Sequence, residues 1–75
     1  MNQLTPIFIG MIGMRNVNIE IDDKGMYSVT ALQIGTENSI KIHGETPGQL
    51  ERNLIIGGLF SEDEARQITY KIVHR

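Results

Sequence analysis

The stretch NVNIEIDDKGMYSVTALQI, residues 16–34, constrains the fold of this chain more than any other. Val17, Ile19 and Ile21 alternate with Asn16, Asn18, Glu20 and Asp22. Successive side chains of a strand point to opposite faces, so the alternation specifies a strand with one dry and one wet face. Asp23, Lys24 and Gly25 suit a three-residue hairpin loop, with Gly25 in the left-handed position that closes a bulge. Parity then sets the register. Asp22 faces Met26, Ile21 faces Tyr27, Ile19 faces Val29 and Val17 faces Ala31, which gathers the apolar residues on one face. A four-residue loop sets Ile19 against Ser28 and makes a poorer core. The opposite face carries Asn18, Glu20, Asp22, Ser28 and Thr30.

The most apolar segment is PIFIGMIGM, residues 6–14. It is too short for a membrane span, which takes roughly 20 apolar residues. No Lys or Arg precedes it and no small-residue cleavage site clearly follows, so a secretory signal is not expected either. It reads as a strand over 7–14, central or covered on both faces, with Gly10 and Gly13 marking bends or bulges. GTEN, residues 35–38, reads as a second turn. SIKIH reads as a short strand with Ile40 and Ile42 inward and Ser39, Lys41 and His43 outward.

The last third is helical. Thr46 suits an N-cap, Pro47 the first helical position, and Gln49 completes a T-x-x-Q capping box. Leu50 and Leu54, with Ile55 beside them, form a stripe for the sheet, and Gly57 suits a C-terminal stop. Ser61 with Glu64 is a second capping box, and Phe60 is placed to staple the helix start. Ala65, Ile68, Ile72 and Val73 form the second stripe. Glu62, Asp63 and Glu64 complement the positive end of that helix, and Lys71, His74 and Arg75 the negative end. Strands first and helices after them specify an α+β fold, a single domain over 1–75. It is an antiparallel meander of three to four strands followed by two helices packed on one face.

A chain of 75 residues buries only about 60% of the surface its unfolded form exposes, so its core is small. Without Cys, no disulfide or thiolate metal site can reinforce it. Such chains gain stability by associating, and dimerisation through the apolar first strand is one expectation. The absence of Cys also fits a cytoplasmic chain. The formal net charge is -2, and neither half of the sequence concentrates Lys and Arg. Phosphate binding needs a basic field that is absent here.

Chemistry is sparse. His43 and His74 have neither Cys partners nor metal-ligand spacing. Ser28, Ser39 and Ser61 lack the context of an activated nucleophile, and Ser61 is occupied as a cap. Asp22 and Asp23 belong to a turn without the remaining oxygen ligands of a calcium loop. GMIGM and IGGL are not phosphate loops. No enzyme activity, metal or cofactor is expected. The two helices joined by a glycine-containing turn trace a helix-turn-helix outline. The end that would read bases is SEDEA, whose carboxylates repel phosphate, so direct DNA binding stays a second alternative.

NIEIDDKG at 18–25, QLE at 49–51 and a terminal helix ending in IVHR resemble a small phage protein family, the anti-CRISPR inhibitors of the type I-F surveillance complex. The likeness runs over residues 18–75. It implies a non-catalytic inhibitor whose sheet face docks on the repeated backbone subunit of that complex and blocks DNA hybridisation. The contacting residues it implies are Phe8, Asp22 and Gln33. The family carries aromatic, aromatic and acidic residues there, and this chain keeps an aromatic only at Phe8. The functional expectation is a small inhibitor or adaptor, phage- or prophage-encoded and acting in the host cytoplasm. It blocks a host protein with a basic surface through Phe8, Asn18, Glu20, Asp22, Ser28, Thr30 and Gln33. The alternative from the structural class is a homodimeric accessory protein.

Overall fold

The structure is a computed structural model and describes residues 3–32, 38–57 and 60–74. Four strands come first: β1 (Thr5–Ile12), β2 (Arg15–Ile21), β3 (Tyr27–Leu32) and β4 (Ser39–Gly44). Two helices follow, α1 (Pro47–Gly57) and α2 (Glu62–Val73). Each strand pairs antiparallel with the next, giving the sheet order β1-β2-β3-β4. Both helices lie on one face, α2 nearest β1 and α1 nearest β4, and they pack on each other.

The central hairpin has the register that parity requires: Ile21 opposite Tyr27, Ile19 opposite Val29 and Val17 opposite Ala31. Gly25 has φ 88°, in the left-handed region that glycine enters without steric cost. The Asp22 N–H donates to the Met26 carbonyl at 3.0 Å. The Asp22 carboxylate accepts the N–H groups of Lys24 at 2.9 Å and Met26 at 2.8 Å, an Asx turn that fixes the loop.

β1 departs from the expectation in three ways. It stops at Ile12, because Gly13 (φ 63°) and Met14 form a two-residue turn that returns the chain at Arg15. Its irregularity falls at Ile7, where the register shifts between Pro6 and Phe8, and not at Gly10. It is an edge strand and not a central one, with Ile9 74% and Met11 59% exposed on the face away from the helices. An unbroken apolar run reads as buried on both sides, but in a meander of consecutive hairpins the first strand has a neighbour on one side only.

The inner face of the sheet and the helices enclose the core. Ile12, Val17, Ile19, Val29 and Ala31 meet Leu50, Leu54, Phe60, Ala65, Ile68 and Ile72. Phe8 closes one side. Its ring lies over Gly10, where an added Cβ would come within 2.7 Å of it, and the Lys71 ammonium sits 4.3 Å above the ring. Arg15 covers the Phe60 ring at 4.4 Å in the same manner.

At α1 the Thr46 hydroxyl accepts the Gln49 N–H at 3.1 Å, as a cap should. The return bond differs from a strict capping box, since the Gln49 side chain accepts from the Glu45 N–H at 2.8 Å and not from Thr46. At α2 both arms of the box form, the Glu64 N–H to Ser61 Oγ at 3.2 Å and the Ser61 N–H to Glu64 Oε1 at 3.0 Å. Ile55 and Val73, expected in the buried stripes, are exposed, because each lies at the outer margin of its stripe. The expected turn at 35–38 and the second glycine of Gly57-Gly58 lie largely outside the described residues.

Candidate interaction surface

With the helices on one side, the other face of the sheet has no layer over it among the described residues. Pairing places its side chains in rows. Ile9, Asn18, Thr30 and Lys41 cross the sheet in one row. Glu20, Ser28 and His43 form a second. Met11 with Asn16 and Leu32 with Ser39 make up a third. Neighbours within a row stand about 4.5–5.5 Å apart, so each row acts as a unit.

The face has two characters. Its polar end holds Glu20, Ser28 and His43. Ser28 is only 5% exposed, and its hydroxyl is hydrogen-bonded to His43 Nδ1 at 3.1 Å. The Asn53 amide of α1 reaches around the β4 edge and donates to the His43 carbonyl at 2.8 Å. The other end is apolar, with Ile9, Met11 and Leu32 all exposed and Met14 beside them in the turn. Between the two ends a shallow depression of about 230 Å³ is lined by Ile9, Asn16, Asn18, Thr30, Leu32 and Ser39. The Asn18 Oδ1 atom is buried there and has no hydrogen-bond partner among the described residues. A buried acceptor left without a donor costs about 1–3 kcal/mol.

Asn18, Glu20, Ser28 and Thr30 thus share the outer side of the sheet as expected, while Asp22 lies just past the end of β2. Their roles differ. Asp22 stands at the loop end, and its carboxylate is committed to Lys24 and Met26. Those N–H groups, Met26 foremost, hold the carboxyl below its ordinary value of 3.8 against an opposing effect of desolvation, and the Lys24 charge adds to the lowering. Ser28 is enclosed. Phe8 is not on this face: it pairs with Ile19 and packs against the core beneath Lys71. Gln33 lies outside the described residues. The exposed residues that sequence reasoning missed are Ile9, Met11 and Leu32. The signal was available at the Gly13-Met14 turn, which sets Ile12 against Arg15 and therefore puts Met11 and Ile9 on the side of Asn16 and Asn18.

Lys41 in the middle row offsets Glu20, so the face is mixed rather than acidic. Among the described residues no group of three His, Asp or Glu could hold a metal ion. His43 belongs to the sheet, and His74 stacks on Tyr70 at the end of α2, with ring centroids 4.2 Å apart. No described helix is long and apolar enough to cross a membrane. Compared with protein-family models, curated proteins and solved structures, the chain gives no match.

Proposed function

We propose that this chain is a small non-catalytic binding protein that blocks or recruits another protein through the uncovered face of its sheet. The carrying observation is the apolar depression around Asn18, with Ile9 and Leu32 exposed in its lining and Met11 exposed beside Asn16. Apolar side chains around a few oriented polar groups are what protein-binding patches present. Glu20 at the rim suits a Lys or Arg of the partner, which steers the encounter more than it tightens the complex.

Catalysis has little support. Ser28 and His43 are bonded, but a nucleophile must meet its substrate, and Ser28 is enclosed between neighbouring strands. The α2 start that would face DNA in a helix-turn-helix carries Glu62 and Asp63, both exposed. The resemblance to the type I-F anti-CRISPR inhibitors favours a phage-encoded inhibitor of a host defence complex, acting in the cytoplasm. That version of the reading leans on the outer face and not on Phe8, which is engaged in the core.

The test is binding of the purified chain to the type I-F surveillance complex, alongside affinity capture from host lysate. Glu20→Lys combined with Leu32→Asp alters the outer face without touching the core. Ile56→Asp alters the exposed side of α1 as a control. Loss of the captured partner in the double variant, with retention in the control, supports the reading. Retention in both, or loss only in the control, overturns it. Capture of some other protein by the outer face, with no binding to the surveillance complex, removes the anti-CRISPR version alone.

A further inference from the structure

The two edges of the sheet are unequally guarded. An edge strand presents unpaired N–H and C=O groups, which proteins ordinarily protect with charges, proline, bulges or an overlying element. At β4, Lys41 and His43 project outward, α1 packs alongside, and Asn53 engages the His43 carbonyl. β1 has no charged residue from Thr5 to Ile12. Its guards are Pro6 and the bulge at Ile7, in its first half, and α2, which packs on its inner side with Lys71 over Phe8 and leaves the strand's backbone edge open. Phe8 to Ile12 remains regular, uncharged and apolar, with no described strand on its free side.

We propose that this edge pairs with the same edge of a second copy of the chain, antiparallel about a two-fold axis at Gly10. Gly10 is the midpoint of the regular segment Phe8–Ile12, so this register uses every regular residue and leaves Pro6 and Ile7 beyond the pairing. It sets Ile9 opposite the partner's Met11 on the outer face and Phe8 opposite the partner's Ile12 on the inner face. A strand that faces itself brings identical residues together, and like charges opposite one another destabilise a sheet. β1 meets that condition. β4 does not, since self-pairing brings its Lys41 close to a second Lys41. The Phe8 ring folded over Gly10 covers the inner side of the strand at the axis, so two glycines can meet without leaving a gap. The product is one continuous sheet in which Ile9 and Met11 of both copies form a single apolar band. This inference does not rest on the binding reading above: it uses the backbone edge of β1, although the Ile9 side chain also lines the depression around Asn18.

The natural chain has no Cys, so introduced thiols report cleanly. The mass of the whole chain in solution is the first readout, with twice 8.4 kDa expected. Ile9→Lys places like charges beside the axis at an exposed position. It is expected to return the chain to a single-copy mass with an unchanged circular dichroism spectrum, while Ile56→Lys stays dimeric. An equimolar mixture of Ile9→Cys and Met11→Cys chains, oxidised, is expected to yield the covalent heterodimer in excess over either homodimer. A single-copy mass for the natural chain up to about 1 mM, the weakest range in which association is measurable, overturns the proposal. So does an Ile9→Lys chain that stays dimeric, or preferential self-cross-linking of the Ile9→Cys chain. Glu20→Lys with Leu32→Asp leaves the mass doubled, which separates this test from that of partner binding.

Discussion

Gly44 and Gly48 lie four residues apart and answer to different physics. At Gly44 the end of β4 meets the start of α1 so closely that an added Cβ comes within 2.6 Å of Leu50 Cα and 2.7 Å of its backbone nitrogen. Those are backbone atoms and cannot turn aside, so Gly44→Ala pushes the helix off the sheet. Overpacking of this kind costs about 1–3 kcal/mol. At Gly48, in the first turn of α1, nothing lies within 4 Å of an added Cβ. Gly48→Ala is expected to stabilise by roughly 0.5–1 kcal/mol through the lost freedom of the unfolded chain. Urea midpoints of the two variants, moving in opposite directions, check the contrast. Asp22 supplies the second prediction at this scale. Its carboxyl lies below 3.8 in the folded state because the Met26 and Lys24 N–H groups bond the charged form. A lowered pKa contributes stability that is present above the ordinary value and is lost as the pH falls through the folded one. The natural chain should therefore weaken below pH 3.8, and Asp22→Asn, which keeps an acceptor and loses the titration, should lose that part of the acid slope. Denaturant midpoints measured across the acid range test the difference.

Among the elements, α2 depends most visibly on its start. Ser61 and Glu64 exchange side chain and backbone at 3.0 and 3.2 Å, and the Glu64 side chain also lies against Gly13 in the β1–β2 turn. Ser61→Ala is expected to cost about 1 kcal/mol, read as a lower denaturant midpoint with an unchanged slope. The cap was legible in the sequence because its partners are three residues apart, and so was the β2–β3 register, because a three-residue loop leaves only one parity with an apolar face. Such local signals place Asn18, Glu20, Ser28 and Thr30 on the outer side without a structure. β1 was not legible. An unbroken apolar run carries no parity of its own, and its faces are assigned only by its partner strand and by the turn that joins them. Ile9 and Met11 depend on that assignment and escaped notice for that reason, whereas Leu32 follows from the β2–β3 parity, one residue past the inward Ala31. The helix margins were misread for a related reason. Ile55 and Val73 each follow the last buried residue of their stripe, Leu54 and Ile72, and so stand about 100° round the helix from it, at the margin of the core.

For the whole molecule, the decisive fact is how little core there is to share among two layers. Domains of this length seldom draw more than about 3–5 kcal/mol from a single core. Leu54 is fully buried between α1 and the sheet, and Leu54→Ala is expected to cost about 2–5 kcal/mol, comparable with that entire sum. An isolated copy of the variant should then be largely unfolded at room temperature, visible as lost dispersion of its amide resonances. Association changes the expectation, because a partner that binds only the folded form raises stability by mass action. Joined at β1, the natural chain should melt at a temperature that rises with protein concentration, and Leu54→Ala should regain structure as it is concentrated. Ile9→Lys, with its core intact and its edge charged, should melt at one temperature whatever its concentration. Thermal scans over a hundredfold range of concentration separate a core that stands alone from one that is completed across the sheet edge.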